Sequence, residues 1–190
     1  PVQDIRLCFC LLPYTFYPVR INIFLDAQFA EPEISVPTAP ETTYKVSTLT
    51  EKSLHEVLSL NLRCFYRGEN YTKMTFEHLL TEPNILSFQI RTAEDQMAGF
   101  IFIAVHNEKV GHITTIGVAP EHRKRGLAKL LLQRAEKALK ARDFDSVVLE
   151  VRESNYIAQN LYHRHDYDII QKLENYYTDS EAAFLMSKSF

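Results

Sequence analysis

Apolar residues recur along this chain with two different periods, and each change of period marks the start of an element. "YKVSTL" (44–49) alternates with period two, as a short half-buried strand does. "TEKSLHEVLSLNLRCFY" then sets Leu54, Val57, Leu58, Leu62 and Phe65 three and four residues apart, which predicts a helix presenting those side chains to a core. A polar loop, "RGENYTKM", precedes a short helix from about Thr75 to Leu80, which must stop before Pro83 because a proline drives the residue ahead of it out of the helical region. "ILSFQIRT", "MAGFIFIAVHN" and "VGHITTIGVAP" read as three consecutive strands joined by polar turns. After Gly126 a long helix carries Leu127, Leu130, Leu131, Ala135, Ala138 and Leu139 on one face and lysines elsewhere. A strand "SVVLEVR", a short helix around "NYIAQNLYHRH" and two final strands, "YDIIQKLENYY" and "AAFLMSKSF", complete the pattern. The order is strand, two helices, three strands, helix, strand, helix, two strands. It predicts an α+β domain over residues 44–190, in which the helix after Gly126 crosses over between two parallel strands.

Residues 31–43, "EPEISVPTAPETT", hold three prolines among threonines and acids and predict an extended linker. Before it lies an apolar, proline-interrupted arm. Pro13, Pro18 and Arg20 break that arm before it reaches the roughly 20 residues a bilayer span needs, so no membrane anchor is expected. The arm is open to pairing with a partner subunit or packing on the main domain, and the oligomeric state is open between monomer and homodimer. A chain of 190 residues with net charge −3 and a pI near 6.2 lacks the overall basic excess of a nucleic-acid binder. Three cysteines, Cys8, Cys10 and Cys64, form neither an even disulfide framework nor a paired metal-ligand spacing, which points to free thiols in a reducing cytoplasm.

Against that acidic balance, "EHRKRGLAK" gathers Arg123, Lys124, Arg125 and Lys129 around Gly126 where a helix begins. The first turn of a helix has amides without internal acceptors and carries about half a positive charge, so an anion is its natural occupant. Gly126 permits close backbone approach, and small Ala128 keeps the next turn open. A solvated basic turn opening an ordinary helix is the plainer alternative. The P-loop and the dinucleotide fingerprint are both absent, since neither Gly-Lys-Ser/Thr nor a preceding Gly-x-Gly is present.

"RKRGLA", set between a strand ending "IGVAP" and a long amphipathic helix, resembles the Arg/Gln-x-x-Gly-x-Gly/Ala signature of the GCN5-related N-acetyltransferases (GNAT). "LEVRESNYIAQNLY" and "NYYTDSEAAFLM" look most like the RimI-type ribosomal-protein alanine acetyltransferases and related amino-terminal acetyltransferases, and "CFYRGENYTKMTFEHLL" resembles their substrate-side helix and loop. The resemblance covers residues 44–190. It implies a mixed sheet of six to seven strands with about four helices, acetyl-CoA as acetyl donor, no metal, and a protein amino terminus or another amine as acceptor. It further implies that the loop amides around Gly126, Leu127 and Ala128 hold the donor's diphosphate, and that the main chain of Ile116, Gly117 and Val118 binds the pantetheine arm.

Individual residues keep two readings each. Glu150 is either a paired carboxylate in an inner strand or, as the resemblance implies, the general base. Tyr162 either fills the core or protonates the leaving thiolate, and Asn155 either caps a helix or bonds the donor. Tyr176 and Tyr177 are strand aromatics or line the peptide entrance, and Glu69 is placed to meet the acceptor amine. "HRHD" (163–166) invites a metal reading, but histidines two apart on a helix do not share a face. Asp166 and Tyr167 stand where the family has Gly-Phe, and aspartate tolerates the left-handed turn this requires. The enzymatic alternatives are acetylation of lysine, polyamines or another small amine. The non-enzymatic one is a domain that binds coenzyme A or a protein without turnover.

Overall fold

The computed structural model describes residues 43–65, 70–105 and 109–190; the arm and most of the linker expected before them, and Glu69, lie outside the described residues. In chain order the elements are β1 (Tyr44–Thr48), α1 (Leu54–Cys64), α2 (Lys73–Thr81), β2 (Ile85–Thr92), β3 (Met97–Val105), β4 (Val110–Val118), α3 (Leu127–Lys140), β5 (Ser146–Arg152), α4 (Tyr156–His163), β6 (Asp168–Leu173) and β7 (Ala183–Ser189). They form one mixed sheet of order β1-β2-β3-β4-β5-β7-β6, in which β4 and β5 are parallel and the other neighbours antiparallel. This is the α+β architecture expected, with α3 as the parallel crossover.

β3 reads as a continuous apolar run because the sheet is covered on both faces there. Its alternation sends Phe100 and Phe102 to one core cluster with Val57, Leu60 and Phe76 of α1 and α2. Ile101 and Ile103 go to the other, with Leu131 and Leu139 of α3 and Ala158 of α4. Val147, Leu149 and Val151 of β5 also face α3 and α4, which leaves Glu150 and Arg152 on the α1 side.

Two helix faces differ from the periodic expectation. On α1 the buried line runs through Val57, Leu60, Asn61 and Cys64, while Leu62 is 53% exposed. The rotation follows from Gly117 of β4: a Cβ there would lie 2.8 Å from the Phe100 ring and 3.2 Å from Cys64 Sγ, so the missing side chain is what admits this edge of α1. On α3, Leu132 and Glu136 are buried and Leu130 faces outward. Glu136 is accommodated because Tyr167 Oη and Lys188 Nζ both donate to its carboxylate, at 3.2 and 2.9 Å. Near the C-terminus β6 is shorter than "YDIIQKLENYY" implied, ending at Leu173 ahead of a turn with Asn175 at φ 54°. Asp166 takes the left-handed conformation at φ 64°, as its position in place of glycine demands.

One irregularity shapes everything beside it. The β3–β4 register shifts between Phe102 and Ile103, whose partners are Thr115 and Ile113, leaving Thr114 as a bulge. A bulge bends its strand, and β4 pairs with β5 only through Val110, Gly111 and His112 against Ser146, Val147 and Val148. Beyond that point the two strands part, although β5 stays paired with β7 through Arg152.

Replacing Gly117 by Ala should destabilise the fold by about 1–3 kcal/mol through overpacking against Phe100 and Cys64, read as a lower denaturant midpoint at unchanged slope. Wild-type stability in that variant would show that the α1–β4 approach is looser than described.

Candidate active site

The parting strands open a cavity of about 590 Å³ whose walls come from four elements. Ile116, Gly117 and Val118 supply the β4 wall, Cys64 and Phe65 the end of α1, and the outer side of α4 faces them across the gap. Gly126, Leu127, Ala128 and Lys129 form the mouth of α3, with Arg123 and Lys124 just before it. Gly126 sits at φ 79°, a left-handed conformation that favours glycine, and a Cβ there would meet nothing within 4 Å. The earliest amide bonded back along α3 is Leu130 N–H to Gly126 O at 3.1 Å, so residues 127–129 have amides without acceptors inside the helix. Room, unpaired donors and the positive end of the helix dipole coincide, and these fit a diphosphate.

Two of the expected donor-binding residues stand apart from this cavity. Arg125 turns outward, with Nη1 donating to Tyr44 Oη at 3.1 Å. Asn155 is a helix cap, its Oδ1 accepting the Ala158 amide at 3.1 Å. Arg123 lines the cavity but also braces the loop, donating through Nε to Val118 O at 3.2 Å. Tyr44 Oη and His122 Nδ1, 3.1 Å apart, tie the same loop to β1.

Where β4 and β5 begin to separate, Glu150 Oε2 lies 2.7 Å from His112 Nε2. An ionised carboxylate can only accept, so the imidazole N–H donates in this pair. Glu150 is 9% exposed, and its paired burial is what makes a carboxylate tolerable in an inner strand. His112 was absent from the expected residues. Its signal was present in "VGHITT", where alternation places it on the opposite face from Gly111 and Ile113. Tyr71 is a second omission: its hydroxyl donates to Thr114 O at 3.0 Å, laying the α1–α2 connection over the bulge of β4.

Tyr162 is 1% exposed, packed in the core with the Tyr167 ring 5.7 Å away, and burial raises its phenol pKa well above the ordinary value. It is not among the residues that line the cavity. Tyr177 is also buried, beneath the Arg152 guanidinium at 3.9 Å, and Tyr176 beside it is partly exposed. Arg152 pairs with Asp179 at 3.0 Å and with Glu181, whose other oxygen accepts the Ser154 amide at 2.8 Å. This ties the β6–β7 connection to the end of β5, with Tyr177 as the platform and Tyr176 as the ring that reaches solvent. Among the described residues no group of three or more His, Cys, Asp or Glu side chains is arranged to hold a metal ion. None of the described helices is long and apolar enough to cross a membrane.

Residues 54–167 match the model of a family described as the Acetyltransferase (GNAT) family. An N-alpha-acetyltransferase of Sulfurisphaera tokodaii is 40% identical over 156 residues, covering 76% of this chain and 92% of the relative. An N-terminal acetyltransferase complex ARD1 subunit homolog of Dictyostelium discoideum is 38% identical over 140 residues, covering 70% and 66%. The crystal structure of the ribosomal-protein-S18-alanine N-acetyltransferase from Escherichia coli superposes with a TM-score of 0.71 at 26% identity, covering 77% of this chain and 94% of that one.

Cys64 gives a test of the cavity's inner wall. Burial pushes its thiol up to about 11, against the opposing pull of the Arg123 charge, and Sγ donates to Val118 O at 3.4 Å. Roughly three pH units below that value the thiolate is scarce, so iodoacetamide at pH 7.5 should leave Cys64 unmodified in the folded protein and alkylate it after unfolding. Peptide mass spectrometry showing Cys64 labelled in the folded chain at the rate of a free thiol would contradict the environment described.

Proposed function

We propose a function from one premise: the chain belongs to the acetyltransferase (GNAT) family and is an N-acetyltransferase. The acceptor we assign is the α-amine of a protein amino terminus, the donor is acetyl-CoA, and transfer is direct, with both bound together. The observation that carries this reading is the Glu150–His112 pair at the point where β4 and β5 part, beside the cavity that ends at the α3 mouth. The names of the Sulfurisphaera and Escherichia coli proteins support a protein amino terminus; a ribosomal protein is one acceptor within that class.

The chemistry matches a modest base. An α-amine has a pKa of about 7.7–8.0 against about 10.4 for lysine, so making it a neutral nucleophile near pH 7.5 costs about 3 kcal/mol less. In our assignment the amine proton passes to the Glu150–His112 pair, directly or through water, as nitrogen attacks the acetyl carbon. The C–S bond then breaks, and the departing thiolate takes a proton from Tyr162, whose burial keeps its hydroxyl protonated. Main-chain groups of Ile116, Gly117 and Val118 hold the pantetheine arm and polarise the carbonyl. The amides of residues 127–129 hold the diphosphate, with Arg123 and Lys124 adding charge. On the acceptor side we place Tyr176, backed by Tyr177, and Glu69 from the α1–α2 connection. Asn155 and Arg125 act by fixing α4 and the loop.

Thiol release from acetyl-CoA should be seen with peptides of free amino terminus and should fall away when that amine is blocked. Turnover on polyamines or internal lysine alone would overturn the acceptor assignment. Glu150→Gln and Tyr162→Phe should each lower kcat by about 100-fold or more while leaving the acetyl-CoA Kd within about twofold. Full activity in Glu150→Gln would remove the base from this pair, and full activity in Tyr162→Phe would leave that tyrosine as packing.

A further inference from the structure

The basic side chains around the cavity are unequally engaged. Arg123 is bonded to Val118 O and His122 to Tyr44 Oη, as described above. Lys124, Lys129 and Arg164 also line the cavity, and none of the three forms an ion pair among the described residues. No carboxylate lines the cavity at all. Lys129 lies in the first turn of α3, where the helix dipole disfavours a cation, and that turn contains no acidic residue to offset it. Arg164 stands opposite, at the C-terminal cap of α4. The two elements face each other closely enough that, after burial itself, the Lys129 charge is the largest influence lowering the proton affinity of His165, the next residue after Arg164; Lys188 acts in the same sense, and Glu136 and Asp166 oppose it. Two uncompensated cations on separate elements, held at one cavity with no acid between them, form a site in want of an anion.

A diphosphate at the amides of residues 127–129 accounts for the α3 mouth and Lys124. It leaves the Lys129–Arg164 pair to a further anionic group. We propose that Lys129 and Arg164 bind the 3′-phosphomonoester of the donor's ribose, and so select coenzyme A over its 3′-dephospho form. A phosphomonoester carries about 1.5 to 2 negative charges near pH 7, and a guanidinium fork matches its oxygens. This rests on the donor assignment made above and adds to it a specificity that the α3 mouth alone does not supply.

Isothermal titration of the full chain with coenzyme A and with 3′-dephospho-coenzyme A tests it without turnover. The wild type should bind coenzyme A about tenfold or more tightly than the dephospho form. Lys129→Ala combined with Arg164→Ala should abolish that preference by weakening coenzyme A alone, and Arg164→Lys should keep part of it. Equal affinity of the wild type for the two ligands would overturn the subsite while leaving the donor assignment intact. Equal weakening of both ligands in the double variant would assign its effect to the shared part of the ligand or to the fold, and would also overturn it. Binding of neither ligand to wild type would bring down the donor assignment and the subsite together.

Discussion

Three residue pairs hold β4 and β5 together, and the end of that pairing governs the rest of the molecule. Buried main-chain groups need partners, so two parallel strands that separate inside a domain leave donors and acceptors for something else to satisfy. The bulge at Thr114 starts the separation by bending β4 away, and Tyr71 stabilises it by taking the Thr114 carbonyl. α3 keeps it open, because the crossover from β4 must begin at Gly126 above the gap and return to β5 below it. Glycine at 117 then lets α1 close the outer wall, so the cavity follows from strand geometry and from two positions without a side chain.

Charge is distributed to match. The chain is acidic overall, yet the cavity has no acidic lining and its loop is braced by main-chain and tyrosine contacts instead of carboxylates. Carboxylates are concentrated elsewhere, at the Arg152 clamp and in the Glu136–Lys188–Tyr167 cluster behind α3. Arg63 holds Glu121 beside the loop, which keeps that acid from neutralising the α3 mouth. The arrangement keeps positive potential for the donor and uses ion pairs to fix the two connections that border the acceptor side.

How much of this the sequence disclosed depended on whether the information was local. β2 and β5 follow "ILSFQIRT" and "SVVLEVR" to the residue, since alternation between turns determines a strand within its own segment. The basic glycine loop was legible for the same reason. Leu62 and Leu130 were misassigned because a helix bearing leucines around more than one face is oriented by its partner, and Gly117 and Tyr167 are remote in sequence. His112 escaped because its meaning comes from Glu150, 38 residues away and across the parallel pair. Arg125 and Asn155 belong to the right segments, but their hydrogen bonds go to Tyr44 and to the start of α4.

The same geometry bears on the order of chemical steps. A mechanism through an acyl-enzyme needs a nucleophile at the donor cavity, and the thiol that lines it is Cys64. Its raised pKa of about 11 and its hydrogen bond to Val118 O keep it a neutral packing group. No serine or threonine lines that cavity to replace it. The residues suited to moving protons, Glu150 and His112, stand on the α1 face of the sheet, with the donor's amide cradle at the end of β4 nearest α3. An arrangement with the donor gripped largely by main chain, and the proton acceptor presented from a separate strand, requires both reactants to be in place at once. Direct attack by a bound amine is therefore the transfer route these side chains favour.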